Sequence, residues 1–578
     1  MRGLVLAALA SVLPARRARA DGASATLTYA IASDVDTLDP DWAYDAASRF
    51  VDRQIYETLV DYDGGSADRF VPRLATVVPS VENGFLSRDG LTYRFPLRAG
   101  VKFHDGATMT PEDVRYSILR FLLLDRDGGP SDLLLRPLLG RDSVAGPDGR
   151  PDPAAYEEAA RAVSIEGGAL VLRLKAPFSP LLAVLASYAP VVSRARVAAH
   201  GGWDGSESSW AEHWNPSKER SALFADADGT GPFRLLAWDR AGGVVALVRF
   251  DGYWRAPAPL SAVRIESVPD PRARRRLLAA GDADAVWIDA GEAAGYRGMP
   301  GVEVDEDLPR LETADAILLN LRAAPSGNPW LGSGRLDGEG VPPDLFADRD
   351  VRRALALDFD DAALIRDGFA GKAVPANGPI PRGLPGWDGA RGWTLSPERA
   401  AELLRRARGG ALWSEGFLLP VACPTGRSGA LAACRTLAAG LAALNPKFRV
   451  DCRELPQSRL LDELRARRPA ALIASWALDY PDPYNAVQPF LGSSGFFAAP
   501  LGYSSARADA LIADAEAATD PAKRRADYRE LQALAVSDVP ALFTVETNGA
   551  LARSLKVRNW VRNPMLPYGS LYEVTKLP

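Results

Sequence analysis

The chain has 578 residues, of which 47% are hydrophobic and 24% charged, and its formal net charge at pH 7 is −5. A mildly acidic surface argues against nucleic acid and anionic membrane as partners, and this length exceeds what one hydrophobic core supports. With only three histidines in the whole chain, a catalytic histidine or a histidine-rich metal centre is not expected, and we predict neither a metal nor a cofactor.

The first twenty residues are typical of a secretory signal peptide. Arg2 gives a positive start, residues 3–13 form an apolar core, and residues 18–20 (Ala-Arg-Ala) offer a small-x-small cleavage site before Asp21. The apolar core is too short to span a bilayer, and no later stretch approaches about 18 uncharged apolar residues. Because no cysteine follows the core, a lipid anchor is not expected. The sequence therefore predicts a periplasmic monomer that is neither a lipoprotein nor embedded in the membrane.

Strand-like and helix-like segments alternate through the first half of the mature chain. We predict strands over 25–32, 92–98, 170–174 and 285–288, a β region over 231–249, and helices over 46–59, 177–192 and 271–280. A further helix begins at Thr110, where an N-cap threonine precedes Pro111 at N1 and Asp113 at N3. Residues 125–153 and 201–229, which are rich in Gly, Pro and polar residues, are predicted to be surface insertions.

The second half contains a strand, helix, strand, helix, strand pattern. Its segments are residues 415–423, 429–444, 447–455, 457–468 and the apolar run that starts at residue 470, and further helices are predicted to start at Ser396-Pro397 and to span 506–517 and 522–536. Leucine and cysteine recur at steps of three or four in the 429–444 helix, which gives it one apolar face suited to covering a sheet. Parallel strands joined by right-handed crossovers follow from this pattern.

The run from residue 470 ends abruptly at Asp479. Ligands of open α/β sheets gather beyond the carboxyl ends of the strands, so a carboxylate there is well placed to receive a cationic group. Arg427 follows the 415–423 strand beside a helix N-terminus, which is a natural carboxylate site. If the two outer strands are neighbours, both residues lie on one rim, one or two spacings of about 4.8 Å apart. A zwitterion of a few residues could bridge them, although charged loops after strands often serve only solubility.

The three cysteines, Cys423, Cys434 and Cys452, all fall inside this five-segment unit. An odd number in an exported protein allows one disulfide and leaves one thiol, and the sequence does not decide the pairing. A disulfide is favoured over a metal site because no histidine lies near them.

Ten short motifs resemble, in this order, those of the family 5 extracellular solute-binding proteins, the peptide, dipeptide and nickel receptors of bacterial ABC importers. They are residues 37–40 (TLDP), 55–60 (IYETLV), 72–75 (PRLA), 89–106 (DGLTYRFPLRAGVKFHDG), 110–113 (TPED), 229–233 (GTGPF), 253–254 (YW), 281–284 (GDAD), 350–355 (DVRRAL) and 476–483 (WALDYPDP). The resemblance covers nearly the whole mature chain. Most of these motifs are structural in that family, so His104 is interpreted as a turn residue.

The resemblance implies an α/β, two-lobed type II periplasmic binding protein fold with a hinge and an extra inserted small domain, similar to cluster C. Ligand is enclosed as the lobes close. The implied segments are the signal peptide (1–20), lobe I (21–62, 191–288 and 541–578), the inserted small domain (63–190) and lobe II (289–540).

The resemblance also implies roles for six residues. Asp479 matches the aspartate that pairs with the ligand α-amino group in peptide receptors, and Arg427 matches the spacing of the arginine that takes the carboxylate in dipeptide receptors. Asp45 and Ala46 match a loop that offers backbone contacts. Trp476 and Ala477 precede the aspartate and could offer backbone or stacking contacts.

The function implied is capture of a peptide or peptide-like zwitterion and its delivery to an inner-membrane ABC permease, without enzymatic activity. Another ligand of the family, such as an opine, an oligosaccharide or a nickel complex, is the alternative. One further hypothesis is a secreted hydrolase that uses Asp479 and Asp482 as a carboxylate pair, which lacks any supporting Ser, Cys or His constellation. Another is an exported sensor or chaperone-like module that has kept the fold and lost transport.

Overall fold

The computed structural model describes residues 25–578 except 388 and 391. The predicted signal peptide and its cleavage site lie outside the described residues. The protein is α/β, as predicted from the sequence. Among the described residues, no helix is long and apolar enough to cross a membrane.

The strands range from two to ten residues in length. They are β1 Thr26–Ile31, β2 Val60–Tyr62, β3 Phe70–Pro72, β4 Thr92–Pro96, β5 Val163–Glu166, β6 Ala169–Arg173, β7 Phe233–Asp239, β8 Val244–Arg249, β9 Ala262–Ser267, β10 Ala285–Asp289, β11 Val302–Pro309, β12 Glu312–Leu319, β13 Ala373–Pro375, β14 Phe417–Pro424, β15 Phe448–Leu455, β16 Ala471–Ala477, β17 Ala541–Leu542, β18 Val545–Ser554, β19 Val557–Arg558, β20 Val561–Asn563, β21 Leu566–Ser570 and β22 Thr575–Lys576.

The α-helices cover the sheets and fill the connections between strands. They are α1 Ala46–Ile55, α2 Pro111–Leu124, α3 Asp132–Leu139, α4 Ala154–Ala162, α5 Leu181–Ser187, α6 Arg194–Ala199, α7 Pro271–Ala280, α8 Arg349–Asp358, α9 Asp361–Gly368, α10 Pro397–Arg406, α11 Ala411–Glu415, α12 Ser428–Leu444, α13 Gln457–Arg465, α14 Pro483–Leu491, α15 Ala498–Leu501, α16 Ala506–Ala517 and α17 Pro521–Asp538.

One long sheet runs through the molecule in the order β15-β14-β16-β12-β18-β10-β1-β9-β8-β7. Strand β18 joins its two halves: Val545 pairs with Ala314 of β12, and Ala552 pairs with Val286 of β10. In one half β1 is parallel to both β9 and β10. In the other half β14 is parallel to both β15 and β16. The chain crosses between the halves at the β11–β12 connection and along β18, and a hinge is expected at these crossings.

A smaller antiparallel sheet, β4-β6-β5, lies within the predicted inserted domain. Helix α2 packs against it and begins with a capping box, in which the Thr110 side chain accepts from the Asp113 N–H and the Asp113 carboxylate accepts from the Thr110 N–H. The sequence predicted this helix start. The exact boundaries of the six predicted segments stay predictions.

The predicted parallel unit is present as β14-α12-β15-α13-β16, and its first and third strands are neighbours, with Val421 opposite Ala471. The sequence left open whether the two outer strands of this unit are neighbours, and in the structure they are. The apolar face of α12 is also as predicted, because Cys434, Leu437 and Leu441 are buried against the sheet.

Two segments predicted as surface insertions are only partly exposed, and that interpretation was wrong in part. Residues 125–153 contain α3, whose leucines at 134, 135, 138 and 139 are buried, and residues 201–229 bury Trp203 and Trp210. Clustered glycine and proline marked the turns correctly. The leucines between those turns recur at helical spacing, and they form an apolar helix face that packs into the core. The predicted helices over 46–59 and 177–192 are shorter, since α1 ends before Tyr56 and α5 ends before Tyr188, both in extended backbone.

Cys434 and Cys452 form a disulfide that ties α12 to β15, and Cys423 is a buried free thiol. One bridge and one thiol are what the odd count allowed. Burial raises the pKa of Cys423 to about 12, so its thiol is unreactive at neutral pH.

Removal of this disulfide by the double substitution Cys434→Ala and Cys452→Ala is expected to lower the free energy of unfolding by about 3 kcal/mol. The bridge closes a loop between residues 18 apart in sequence, and a closed loop of that size reduces the entropy of the unfolded chain by about this amount. Urea unfolding followed by circular dichroism measures the change. Cys423→Ala removes a buried thiol without opening a loop and is the matched control; equal losses in both proteins would contradict the assignment.

Candidate ligand-binding site

Asp479 lies two residues past the end of β16, at the carboxyl end of an interior strand of the long sheet. Asn485, in the first turn of α14, holds it in place: its side-chain amide donates to Asp479 Oδ2 at 3.2 Å, and its Oδ1 accepts from the Asp479 N–H at 2.9 Å. The same Oδ1 lies 3.4 Å from Trp476 Nε1. A buried asparagine thus fixes the direction of the carboxylate.

The other oxygen of this carboxylate is met from the opposite half of the molecule. The Tyr44 hydroxyl donates to Asp479 Oδ1 at 2.7 Å, across 435 residues of sequence. Tyr44 comes from the loop before α1, and the following residue, Asp45, is the N-cap of that helix, with its Oδ1 accepting from the N–H groups of Ala47 and Ser48. Asp479 therefore lies where the two halves face each other.

A cavity of about 430 Å³ opens beside this contact. Its wall includes Ala46, Ala477 and Asp479, which the sequence predicted as ligand-binding residues. It also includes several polar and aromatic side chains that the sequence did not predict, namely Tyr44, Arg49, Tyr188, Trp287, Arg310 and Tyr568. A mostly preformed pocket with a few converging polar groups is the usual form of a small-molecule site.

Burial raises the pKa of Asp479, and the hydrogen bonds from Tyr44 and Asn485 and the charge of Arg49 oppose that effect. Nearby on α3, burial also raises the pKa of Asp132 to about 6, with the charge of Asp479 adding to the rise. A ligand ammonium group beside Asp479 would stabilise the ionised form that burial disfavours.

Arg427 does not line this cavity. It lies on the same rim as predicted, three residues past β14, but its Nε is 3.4 Å from Oδ1 of the buried Asp315, and its side chain is 47% exposed. Asp315 is held at a bulge in β12 by Ser475, whose hydroxyl donates to it at 3.1 Å. A ligand would have to extend out of the cavity to reach Arg427.

Trp476 and Asp45 do not line the cavity either. Trp476 packs against Phe496 and Phe497, with its ring centroid 5.6 and 5.8 Å from theirs. Asp45 caps α1 with its side chain, as described above. The roles in ligand binding given to these two residues and to Arg427 stay predictions.

His104 does not line this cavity and lies in a turn. Its Nε2 lies 3.0 Å from the Gly231 carbonyl oxygen, and its Nδ1 accepts from the Gly229 N–H. Burial lowers its pKa to about 4, so the ring is neutral at physiological pH. This agrees with a turn residue. Within the described part of the chain, no group of three or more His, Cys, Asp or Glu side chains is arranged to hold a metal ion.

The residues missed by the sequence come from separate parts of the chain. Tyr44 and Arg49 flank the start of α1, Tyr188 follows α5, and Asn485 lies within α14. Only Asn485 had a local signal, since it lies two residues after the predicted 476–483 motif; the others are brought to Asp479 by the packing of the two halves.

The long sheet has two halves that are joined through shared strands, and a cavity and a strand-end carboxylate lie where the halves meet. This arrangement defines a two-lobed type II periplasmic binding protein. The sequence profile described as bacterial extracellular solute-binding proteins, family 5 Middle, matches residues 69–498, and the chain belongs to that family.

Known proteins similar to this chain match it over nearly its full length. The glutathione-binding protein GsiB of Pectobacterium atrosepticum is 25% identical over 548 residues, which are 93% of this chain and 91% of that protein. HbpA2 from Haemophilus parasuis has a TM-score of 0.72 at 19% identity, covering 96% of this chain and 100% of that one. A dipeptide-binding protein from Pseudoalteromonas sp. SM9913, solved in complex with Met-Leu, has a TM-score of 0.68 at 19% identity, with 96% and 100% covered. The two structures establish the fold.

Proposed function

We propose that this protein is the periplasmic substrate-binding component of an ABC importer, which encloses a peptide or peptide-like zwitterion between its lobes and delivers it to an inner-membrane permease. The observation that carries the proposal is Asp479, a carboxylate on a cavity wall between the two halves with its orientation fixed by Asn485 and Tyr44. Family membership supports solute binding, and the glutathione and Met-Leu ligands named for two similar proteins support a peptide.

The ligand amine is the group that Asp479 is placed to bind. An ammonium group donates strong hydrogen bonds to a carboxylate, and in a closed cavity each contributes about 1.5 to 3 kcal/mol net. The tyrosine hydroxyl at Asp479 Oδ1 leaves the carboxylate with unused lone pairs, because each carboxylate oxygen can accept more than one hydrogen bond. Arg427 keeps its predicted role only for a ligand long enough to leave the cavity and reach the rim.

The hydrolase hypothesis has no support in the arrangement of the two carboxylates it requires. Asp482 is committed elsewhere: its Oδ1 accepts from the Tyr484 N–H at 2.8 Å as the cap of α14, and its Oδ2 accepts from Arg524 at 2.7 Å. The family match likewise favours a binding protein over an enzyme.

Isothermal titration calorimetry with trialanine, glutathione and their N-acetylated forms tests the proposed function. We expect at least one free peptide to bind, and N-acetylation, which removes the positive charge but leaves the rest of the ligand intact, to weaken that binding at least tenfold. Native mass spectrometry of protein purified from the periplasm would show whether a peptide co-purifies. If neither peptide binds and none co-purifies, or if acetylation leaves the affinity unchanged, the proposal fails.

A further inference from the structure

Arg49 is a cation on the wall of the same cavity as Asp479, and its own contacts are with neutral groups. Its Nη1 donates to the Tyr188 hydroxyl at 3.1 Å and its Nη2 to the Ser187 carbonyl oxygen at 3.4 Å. The guanidinium carbon lies 4.3 Å from the centre of the Tyr188 ring. Among the residues that the structure describes, no carboxylate comes within 4 Å of it to form an ion pair. These contacts orient the guanidinium group without neutralising its charge.

Other arginines of the cavity wall are engaged with acids or lie against aromatic rings. Arg53 and Arg73 both pair with Asp61. Arg310 lies 3.7 Å from Glu312. Arg255 lies over the Tyr572 ring, 4.4 Å from its centre. Arg49 likewise lies over an aromatic ring, and its charge also acts on Asp479 itself.

Arg49 and Asp479 lie at the two ends of a short wall of tyrosines. Tyr44 donates to Asp479, Tyr188 accepts from Arg49, and the two tyrosine rings are 6.1 Å apart between centroids. The two charges are too far apart for a direct ion pair, yet they face one cavity. A ligand that carries an ammonium group and a carboxylate on one carbon can present one group to each residue, through charge-assisted hydrogen bonds of about 2.8 Å.

An ordinary peptide does not have this arrangement. Its free carboxylate is at the far end of the chain, about 3.3 to 3.6 Å further away for every extended residue. A γ-linked glutamyl peptide keeps the amine and the α-carboxylate together on one carbon and extends through its side chain.

We propose that Arg49 binds the carboxylate of an α-amino-acid head group whose ammonium group pairs with Asp479, so that the site selects γ-glutamyl peptides over ordinary peptides. This inference rests on the proposed function and specifies its ligand class. Arg49 is then a specificity-determining residue, because it binds a carboxylate only when that carboxylate lies next to the ligand amine.

Two isomeric tripeptides test this directly: γ-glutamylcysteinylglycine, which is glutathione, and α-glutamylcysteinylglycine. They have the same atoms and the same charges, and they differ in whether a carboxylate shares a carbon with the amine. Calorimetry under reducing conditions should show the wild type binding the γ isomer at least tenfold more tightly. Arg49→Gln should reduce this preference to within about threefold, whereas the control Arg161→Gln, at an exposed arginine of α4 that does not line the cavity, should retain it.

A third ligand, 4-aminobutyrylcysteinylglycine, is glutathione without the α-carboxylate and makes the test independent of any variant that folds poorly. The wild type should bind it at least tenfold more weakly than glutathione, and Arg49→Gln should bind both alike. The inference is overturned if the wild type prefers the α isomer, binds neither isomer, or tolerates loss of the α-carboxylate. Binding of trialanine in such a case would leave the proposed function standing, whereas binding of none of these peptides, with no peptide co-purifying, would remove both.

Discussion

The Asp479→Asn protein is expected to bind an amine-bearing peptide about a hundredfold more weakly than the wild type, a loss of roughly 3 kcal/mol. The substitution keeps the shape of the side chain and removes its charge. In the wild type, burial raises the pKa of Asp479 but Tyr44, Asn485 and Arg49 stabilise its ionised form, so the protein is prepared for an ammonium group at this position. In the variant that ammonium group would enter the cavity without a counterion.

Calorimetric titration of both proteins with the best-binding peptide of the panel measures the loss. Tyr44→Phe is a useful companion, because it removes the hydroxyl that donates to Asp479 Oδ1 and leaves the carboxylate charged; its effect should be several-fold smaller. The N-acetylated peptide provides the ligand control, since it should bind both Asp479 proteins equally weakly. Equal affinity of the free peptide for Asp479→Asn and wild type would show that the amine is bound elsewhere.

Sequence reasoning predicted the surroundings of Asp479 because they are local. Hydrophobic strands and amphipathic helices of suitable length alternate from residue 415 to residue 479, and right-handed crossovers then order the strands. The carboxyl end of β16 had to lie on the ligand-facing rim. The adjacency of β14 and β16 did not follow from the sequence and is established by the pairing of Val421 with Ala471.

The partner of Arg427 could not be predicted in this way. Asp315 lies on a different strand, at a bulge where its backbone has φ of 46°, a conformation that residues other than glycine rarely adopt. Nothing in the run of residues 312–319 marks that bulge. The position of Arg427 on the rim followed from the sequence, but its contacts depend on a local irregularity of β12.

The wall formed by Tyr44, Arg49 and Tyr188 was missed for a different reason. Each residue is local to α1 or α5 in sequence, and each meets Asp479 or its neighbours only because the two halves of the molecule face one another across β18. Contacts between residues so far apart in the sequence leave no periodic pattern in a single sequence. Of the cavity wall, sequence reasoning therefore predicted Ala477 and Asp479 of one lobe and only Ala46 of the other.

The Arg120→Met protein is expected to lose about 4 kcal/mol of its free energy of unfolding. Arg120, on α2, is 3% exposed in its side chain and donates to both oxygens of Asp39, at 2.8 and 2.6 Å, and also to Asp41. Asp39 is fully buried and Asp41 nearly so. Methionine fills much of the same space but leaves two buried carboxylates without a cation.

Urea unfolding of the purified proteins measures this loss, and Arg161→Met is the matched control. Arg161 lies 3.2 Å from Glu157 on the exposed face of α4, where such a pair contributes at most about 0.5 kcal/mol. A loss in Arg120→Met no larger than in the control would show that the buried cluster contributes little net stability.

The dependence on pH separates the electrostatic cause from simple loss of packing. Burial raises the pKa of Asp41 to about 7 from 3.8, despite the opposing charge of Arg120. Because the folded protein holds this proton more tightly than the unfolded chain, the contribution of Asp41 to stability increases as pH falls through 7 and decreases as pH rises. Without Arg120 more of the buried carboxylate charge must be neutralised by protons, so the deficit of Arg120→Met should shrink between about pH 8 and about pH 5. A deficit independent of pH would assign it to packing, and the loop that carries Tyr44 and Asp45 would then not depend on this charge cluster for its position.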